Sequence, residues 1–302
     1  MRFELGSNIE HILVLGAGAS VDYGLPIWKD LNILIKKKIQ EDKDDLYEHK
    51  KEMLAWIEKI DDKKKYITLD ECLKEESAAL EYHSNGHQIE NQIFSVIKDI
   101  FNDLYKDHEN GWIRILNEKI LDNKSAGLEN KIAFINYNYD TVLDKNLLNF
   151  TYLPQKHQLF NFRNRLSELS EEVIDVLFPH GNLFSNKELE STSHVSRHID
   201  TMKSGVGKYV DVVSCYESRR HSVKKYNRTP TRLYFLGLGG GLQINLGNID
   251  FLISIDEIHV TIKDSSIKDA TVSFLSEKYG IPATEIRIYD TCDELVRKCF
   301  NN

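Results

Sequence analysis

The chain is poor in the residues that build cross-linked or metal-stapled scaffolds. Its 302 residues include four cysteines, Cys72, Cys215, Cys292 and Cys299, and no two stand in the C-x-x-C spacing that brings a pair of thiolates onto one zinc ion. A zinc ribbon and a disulfide framework are both disfavoured, and no metal is expected. Only 5 prolines and 16 glycines are present, which excludes collagenous and low-complexity classes. No apolar run reaches the ~18 residues that a membrane span needs. The first residues lack a basic segment followed by an apolar stretch and a small-residue cleavage site. A cytoplasmic location without a membrane partner is therefore expected. Positive charge is short as well: 39 Lys and Arg stand against 47 Asp and Glu, a net charge of -8 that offers no field to attract nucleic acid.

What is present is an ordinary globular composition, 41% hydrophobic and 28% charged, on a chain long enough for an enzyme-sized core. His11-Ile12-Leu13-Val14-Leu15 reads as a strand buried on both faces, and it opens into Gly16-Ala17-Gly18-Ala19-Ser20. From about 29 to 125 the pattern is helical, clearest at Ile93, Val96, Ile97, Ile100, Phe101 and Leu104. Lys36 to Lys65 holds ten Lys and nine Asp or Glu, the interleaving of solvated helix faces. Strand patterns return at Ile132–Ile135, Val176–Phe178, Leu233–Leu236, Ile258–Ile262 and Ile286–Tyr289. About six strands with intervening helices imply an α/β fold: a single domain over 1–302 with a doubly wound, mostly parallel sheet and a helical insertion after the first strand. Residues 186–232 are polar with few periodic apolar positions and read as an excursion or lid.

Four polar or glycine-rich motifs follow strands, where ligands of open α/β sheets bind. Gly16-Ala17-Gly18-Ala19-Ser20 would let backbone N–H groups approach a diphosphate without Cβ obstruction. Asn136-Tyr137-Asn138-Tyr139-Asp140 offers amides and a carboxylate that could grip ribose hydroxyls or orient water, and equally serves as a turn and helix cap. His180-Gly181 supplies an imidazole suited to general-base work near neutral pH. Gly237-Leu238-Gly239-Gly240-Gly241 gives a Cβ-poor wall or a plain loop. The histidine pairs His83/His87 and His194/His198 lack the further ligands a metal site needs. The basic run Arg219, Arg220, Lys224, Lys225, Arg228, Arg232 reads as a solvated loop face, with phosphate contact as the alternative.

Taken in order, Gly16-Ala17-Gly18-Ala19-Ser20 with Gly24-Leu25-Pro26, Asn136 to Asp140, His180-Gly181, Gly237-Leu238-Gly239 and Cys292-Asp293 resemble the signatures of the sirtuin-like family over nearly the whole chain. Two departures stand out. The cysteines cannot build the zinc ribbon of the deacetylases, and the Asp that follows the family's G-I-P is here Ile27. The chain is closer to the ribbon-free sirtuin-like domains of bacterial antiphage defence systems, whose N-Y-D-x-x-[LI]-D-like signature is matched by Asn138-Tyr139-Asp140-Thr141-Val142-Leu143-Asp144.

That resemblance implies a Rossmann-like sheet and an NAD glycohydrolase that releases nicotinamide and ADP-ribose. It assigns catalysis to Asn138, His180 and Asp140, and NAD binding to Gly16, Ala17, Gly18, Ser20, Pro26, Gly237, Gly239 and Cys292, with NAD as substrate and no metal. An unregulated enzyme of this kind would kill its host, and the length leaves little room for a sensor domain. A regulatory or sensor protein, or a signalling nucleotide, is therefore an expected partner, and an oligomer is expected. Two alternatives stand beside it: a non-catalytic NAD- or ADP-ribose-binding subunit, and a zinc-free protein deacylase or ADP-ribosyltransferase.

Overall fold

A computed structural model describes residues 2–5, 9–42, 49–63, 86–122, 131–140, 142–146, 151–154, 173–177, 210–214, 231–239, 249–251 and 253–300. β1 (Arg2–Leu5) and β2 (His11–Leu15) come first. A tight 3-10 turn over Ala17–Tyr23 leads to α1 (Trp28–Glu41), α2 (Lys50–Lys63), α3 (Gly86–Leu104) and α4 (Trp112–Asp122). Then follow β3 (Ile132–Asn136), α5 (Val142–Asn146), β4 (Thr151–Pro154), β5 (Val173–Leu177), β6 (Val210–Ser214), β7 (Arg232–Leu236) and β8 (Ile249–Phe251). β9 (Glu257–Thr261), α6 (Lys268–Tyr279), β10 (Ile286–Tyr289) and α7 (Cys292–Cys299) complete the described elements.

Seven strands form one parallel sheet in the order β10-β9-β7-β2-β3-β5-β4. From β2 the chain steps outward through β3 to β5, then returns to the other side of β2 as β7 and continues through β9 to β10. This is the doubly wound α/β arrangement expected, and its direction reverses between β2 and β7.

Both faces of the sheet are covered, so β2 must be apolar at consecutive positions rather than at alternate ones. Leu13 and Leu15 enter a core with Phe134, Tyr234, Leu236 and the apolar faces of α1 to α4 and α7. Ile12 and Val14 enter a second core with Ile135, Phe235, Val260 and Leu275 of α6. The helices between β2 and β3 are held by their periodic apolar positions. On α3, Ile93, Val96, Ile97, Ile100 and Phe101 are all buried.

The structure holds more strands than the six expected. β4 extends the main sheet at one edge, and β1, β6 and β8 form a separate three-stranded parallel sheet, so the helical insertion follows the second strand of the chain and the first of the main sheet. β6 lies inside the segment 186–232 that was expected to be an irregular excursion. Val210, Val212 and Val213 give it enough β-branched character to pair with β1 and β8. Except for 210–214 and 231–232, that segment lies outside the described residues. The strand expected at 176–178 is observed at Val173–Leu177. Among the described residues no helix is long and apolar enough to cross a membrane.

Candidate functional site

The point where strand order reverses is occupied by the ends of β2, β3, β7 and β9, and the four ends are bonded to one another. At the end of β2 the Gly16 N–H donates to the Leu236 carbonyl at 2.9 Å, and the Gly18 N–H donates to the Gly237 carbonyl at 2.8 Å. The turn then closes on itself, with the Ala19 N–H donating to the Gly16 carbonyl at 2.9 Å. These glycines are required first by chain packing. A Cβ on Gly18 would lie 2.8 Å from the Gly237 backbone, and one on Gly237, whose φ is +66, would lie 1.9 Å from the Ala19 nitrogen. Sequence reasoning gave the glycines to a diphosphate; the structure shows a nearer neighbour for the missing Cβ.

Asn138 joins β3 to this turn. Its Nδ2 donates to the Gly16 carbonyl at 3.0 Å and to Ser20 Oγ at 3.1 Å, while its own N–H donates to Asn136 Oδ1 at 3.0 Å. Asn138 is 7% exposed and Ser20 3%, so these bonds are shielded from water and costly to break. Both amide protons are committed, which leaves Oδ1 as the side chain's group for a ligand. Asp140 behaves differently: its Oδ1 accepts the Val142 N–H at 2.9 Å, the cap that starts α5.

The structure thus brings Gly16, Gly18, Ser20, Asn138 and Gly237 into one bonded set. Ala17 and Gly239 are exposed beside it, and Pro26 lies half-buried just before α1. Cys292 is buried at the first turn of α7, and burial pushes its thiol up to about 12, partly opposed by a hydrogen bond with Thr261. It is a neutral wall residue at any physiological pH. His180 lies outside the described residues, three positions past the end of β5.

Two neighbours of the site were not foreseen. The Thr261 hydroxyl, at the end of β9, accepts the Gly237 N–H at 2.8 Å. It was legible by the rule that found Asn138, being a polar residue at a strand's carboxyl end. Trp112 carried no such signal. Its indole Nε1 donates to the Ala19 carbonyl at 2.8 Å, and the next residue's N–H donates to Tyr23 Oη at 3.1 Å, which docks the start of α4 on the glycine turn.

The same sheet face carries a second polar cluster toward the amino ends of the strands. The His11 imidazole bonds the Tyr234 hydroxyl at 2.9 Å, and the His259 ring stacks on Tyr234 with centroids 4.7 Å apart. His259 Nδ1 lies 2.9 Å from the Tyr289 hydroxyl and 3.3 Å from Cys299 Sγ. Burial holds His11 down to about 3, helped by Arg232 and Lys131, and burial also lowers His259 against the opposing pull of Glu257. Glu257 is shared by Arg232 at 3.0 Å and Arg287 at 2.7 Å. Arg232, the last of the basic run, is therefore committed inside the fold. Among the described residues no group of three or more His, Cys, Asp or Glu could hold a metal ion. A scan of protein-family models finds no match to this chain, and a search of curated proteins finds none either.

Proposed function

We propose that the chain is an NAD glycohydrolase that cleaves the bond between nicotinamide and ribose, acting as the NAD-depleting effector of an antiphage defence system. The observation that carries this reading is the meeting of Gly16, Ser20 and Asn138 where the order of the strands reverses, the place at which doubly wound sheets receive nucleotides. The chemistry suits so sparse a set of groups. The pyridinium of NAD departs as neutral nicotinamide, so no acid need protonate it. What remains is to stabilise an oxocarbenium-like ribose and to deliver water, which is work for positioning and fixed dipoles.

In this reading the Asn138 carbonyl oxygen orients the ribose or the attacking water, since its amide protons hold the glycine turn. His180 accepts the proton of that water. Asp140 contributes as the cap of α5. A regulatory or sensor protein, or a signalling nucleotide, switches the enzyme on, and the working form is an oligomer.

The test is nicotinamide release from NAD by the purified chain, alone and with the products of its neighbouring genes. Asn138→Ala combined with His180→Ala should lower release by about 100-fold or more, the scale for losing positioning and acid-base groups. Parental turnover in the double variant would overturn the assignment. Binding of ADP-ribose without release of nicotinamide under any condition would favour a binding subunit instead.

A further inference from the structure

β9 carries a polar residue at every second position, Glu257, His259 and Thr261. A strand places such residues on one face, and here it is the face that α7 covers. Glu257 is matched by Arg232 and Arg287, and His259 by Tyr289 and Cys299. Thr261, 8% exposed, is matched by backbone and by the Cys292 thiol. Its Oγ1 accepts the Gly237 N–H at 2.8 Å, and its hydroxyl donates to the Phe235 carbonyl at 3.3 Å. A threonine hydroxyl has one proton to give and lone pairs to offer; beside its contact with the Cys292 thiol, it both accepts from and donates to the bend by which β7 leaves the sheet. Gly237 is that bend, in the left-handed region, and its carbonyl holds the Gly18 N–H. A chain of contacts therefore runs from Thr261 to Gly237 to Gly18, and from the turn containing Gly18 to Asn138 through Gly16 and Ser20.

We propose that Thr261 is a positioning residue: it fixes the glycine turn across β7 and thereby sets the affinity of this site for the diphosphate of a dinucleotide. The affinity half rests on the NAD reading above, whereas the positioning half stands on geometry alone. Valine has the shape of threonine without its hydrogen bonds. In Thr261→Val the Gly237 N–H loses its acceptor, the bend relaxes, and its carbonyl no longer holds Gly18 in place. Serine keeps the hydroxyl and should keep the turn.

Hydrogen exchange followed by mass spectrometry on the full chain reads the positioning directly. In Thr261→Val, peptides covering 16–20 and 232–239 should exchange at least tenfold faster while a peptide covering 132–136 does not change, and Thr261→Ser should resemble the parent. Unchanged exchange over 16–20, or a serine variant that behaves like valine, overturns the positioning role. Should the valine chain not fold, Thr261→Ala carries the same comparison. Calorimetry with ADP-ribose reads the affinity: Kd should rise about tenfold in Thr261→Val and return in Thr261→Ser. A parental Kd alongside faster exchange overturns the link to binding. A parent chain that neither binds ADP-ribose nor releases nicotinamide would sink the NAD reading, and the exchange result would still decide the role of Thr261.

Discussion

Gly18 and Gly237 meet backbone to backbone: the N–H of one donates to the carbonyl of the other at 2.8 Å, and a Cβ on either would overlap its partner's main chain. Two loops that are far apart in sequence are thereby fused into one floor for the site, and the fusion admits no side chain. The glycines are structural before they are ligand-binding.

Gly237→Ala and Gly239→Ala separate these effects. Both residues have positive φ, +66 and +49, but the Gly237 Cβ would meet backbone whereas nothing lies within 4 Å of the Gly239 Cβ. Gly239→Ala should cost roughly 1–2 kcal/mol of left-handed strain. Gly237→Ala should cost on the order of 3 kcal/mol or more, since overlap adds to strain. Urea midpoints of the two variants check this, and equal losses would contradict the packing described.

Asn138→Ala should lower stability as well as any turnover. It removes the amide donor to the buried Ser20 hydroxyl and one of the two donors to the Gly16 carbonyl, which keeps the Ala19 N–H, a loss of about 1–3 kcal/mol. A fold left nearly intact would have suited a residue used for chemistry alone. An unchanged unfolding midpoint would show that the clamp carries no weight.

Asp140 admits a similar division. Asp140→Ala should destabilise by about 0.5–2 kcal/mol through loss of the cap on α5, and Asp140→Asn, which retains an acceptor oxygen, should restore most of it. Nicotinamide release measured on the same two variants tells capping from chemistry: full turnover in Asp140→Asn marks a cap, and loss of turnover with full stability marks a catalytic carboxylate.

The architecture was largely legible because buried parallel strands announce themselves as short apolar runs, as at His11–Leu15 and Leu233–Leu236. Apart from β6, whose Val212 and Val213 lie in an otherwise polar segment, the strands that escaped notice are those without such runs. Arg2–Leu5 alternates charged and apolar residues, Ile249–Phe251 has three residues with Asp250 in the middle, and Thr151–Pro154 ends on a proline at the sheet edge. The site was legible where a polar side chain follows an apolar run. Trp112 could not be found that way, because its contact with the Ala19 carbonyl depends on how α4 docks, and an indole inside a helix reads as core.

Stability should fall as the solution is acidified below neutrality. His11 and His259 are held below their ordinary values in the folded chain, so each binds its proton more readily when unfolded. Their contribution is complete above about pH 6.5, the unfolded value, and for His11 it is lost progressively from there down to about 3. For His11 the slope approaches about 1.4 kcal/mol per pH unit while the folded form stays neutral, and His259 acts in the same direction. Urea midpoints at pH 7.5, 6 and 5 check this, and in His11→Phe the decline should be shallower. A parent chain equally stable at pH 7.5 and 5 would falsify the neutral-imidazole assignment.

The position of β2 in the sheet has a consequence for synthesis. Its partners on either side are β3 and β7, which begin more than a hundred and more than two hundred residues later. At typical ribosomal speeds the apolar strand Ile12 to Leu15 is out of the tunnel for roughly 10–40 s before β7 exists. One of its faces can be covered early, because α1 to α4 are made next and pack on Leu13 and Leu15. The other face, with Ile12 and Val14, waits for α6 near the end of the chain. Slow folding dominated by distant pairings is the expected regime, and holding chaperones have a long interval in which to engage that uncovered strand.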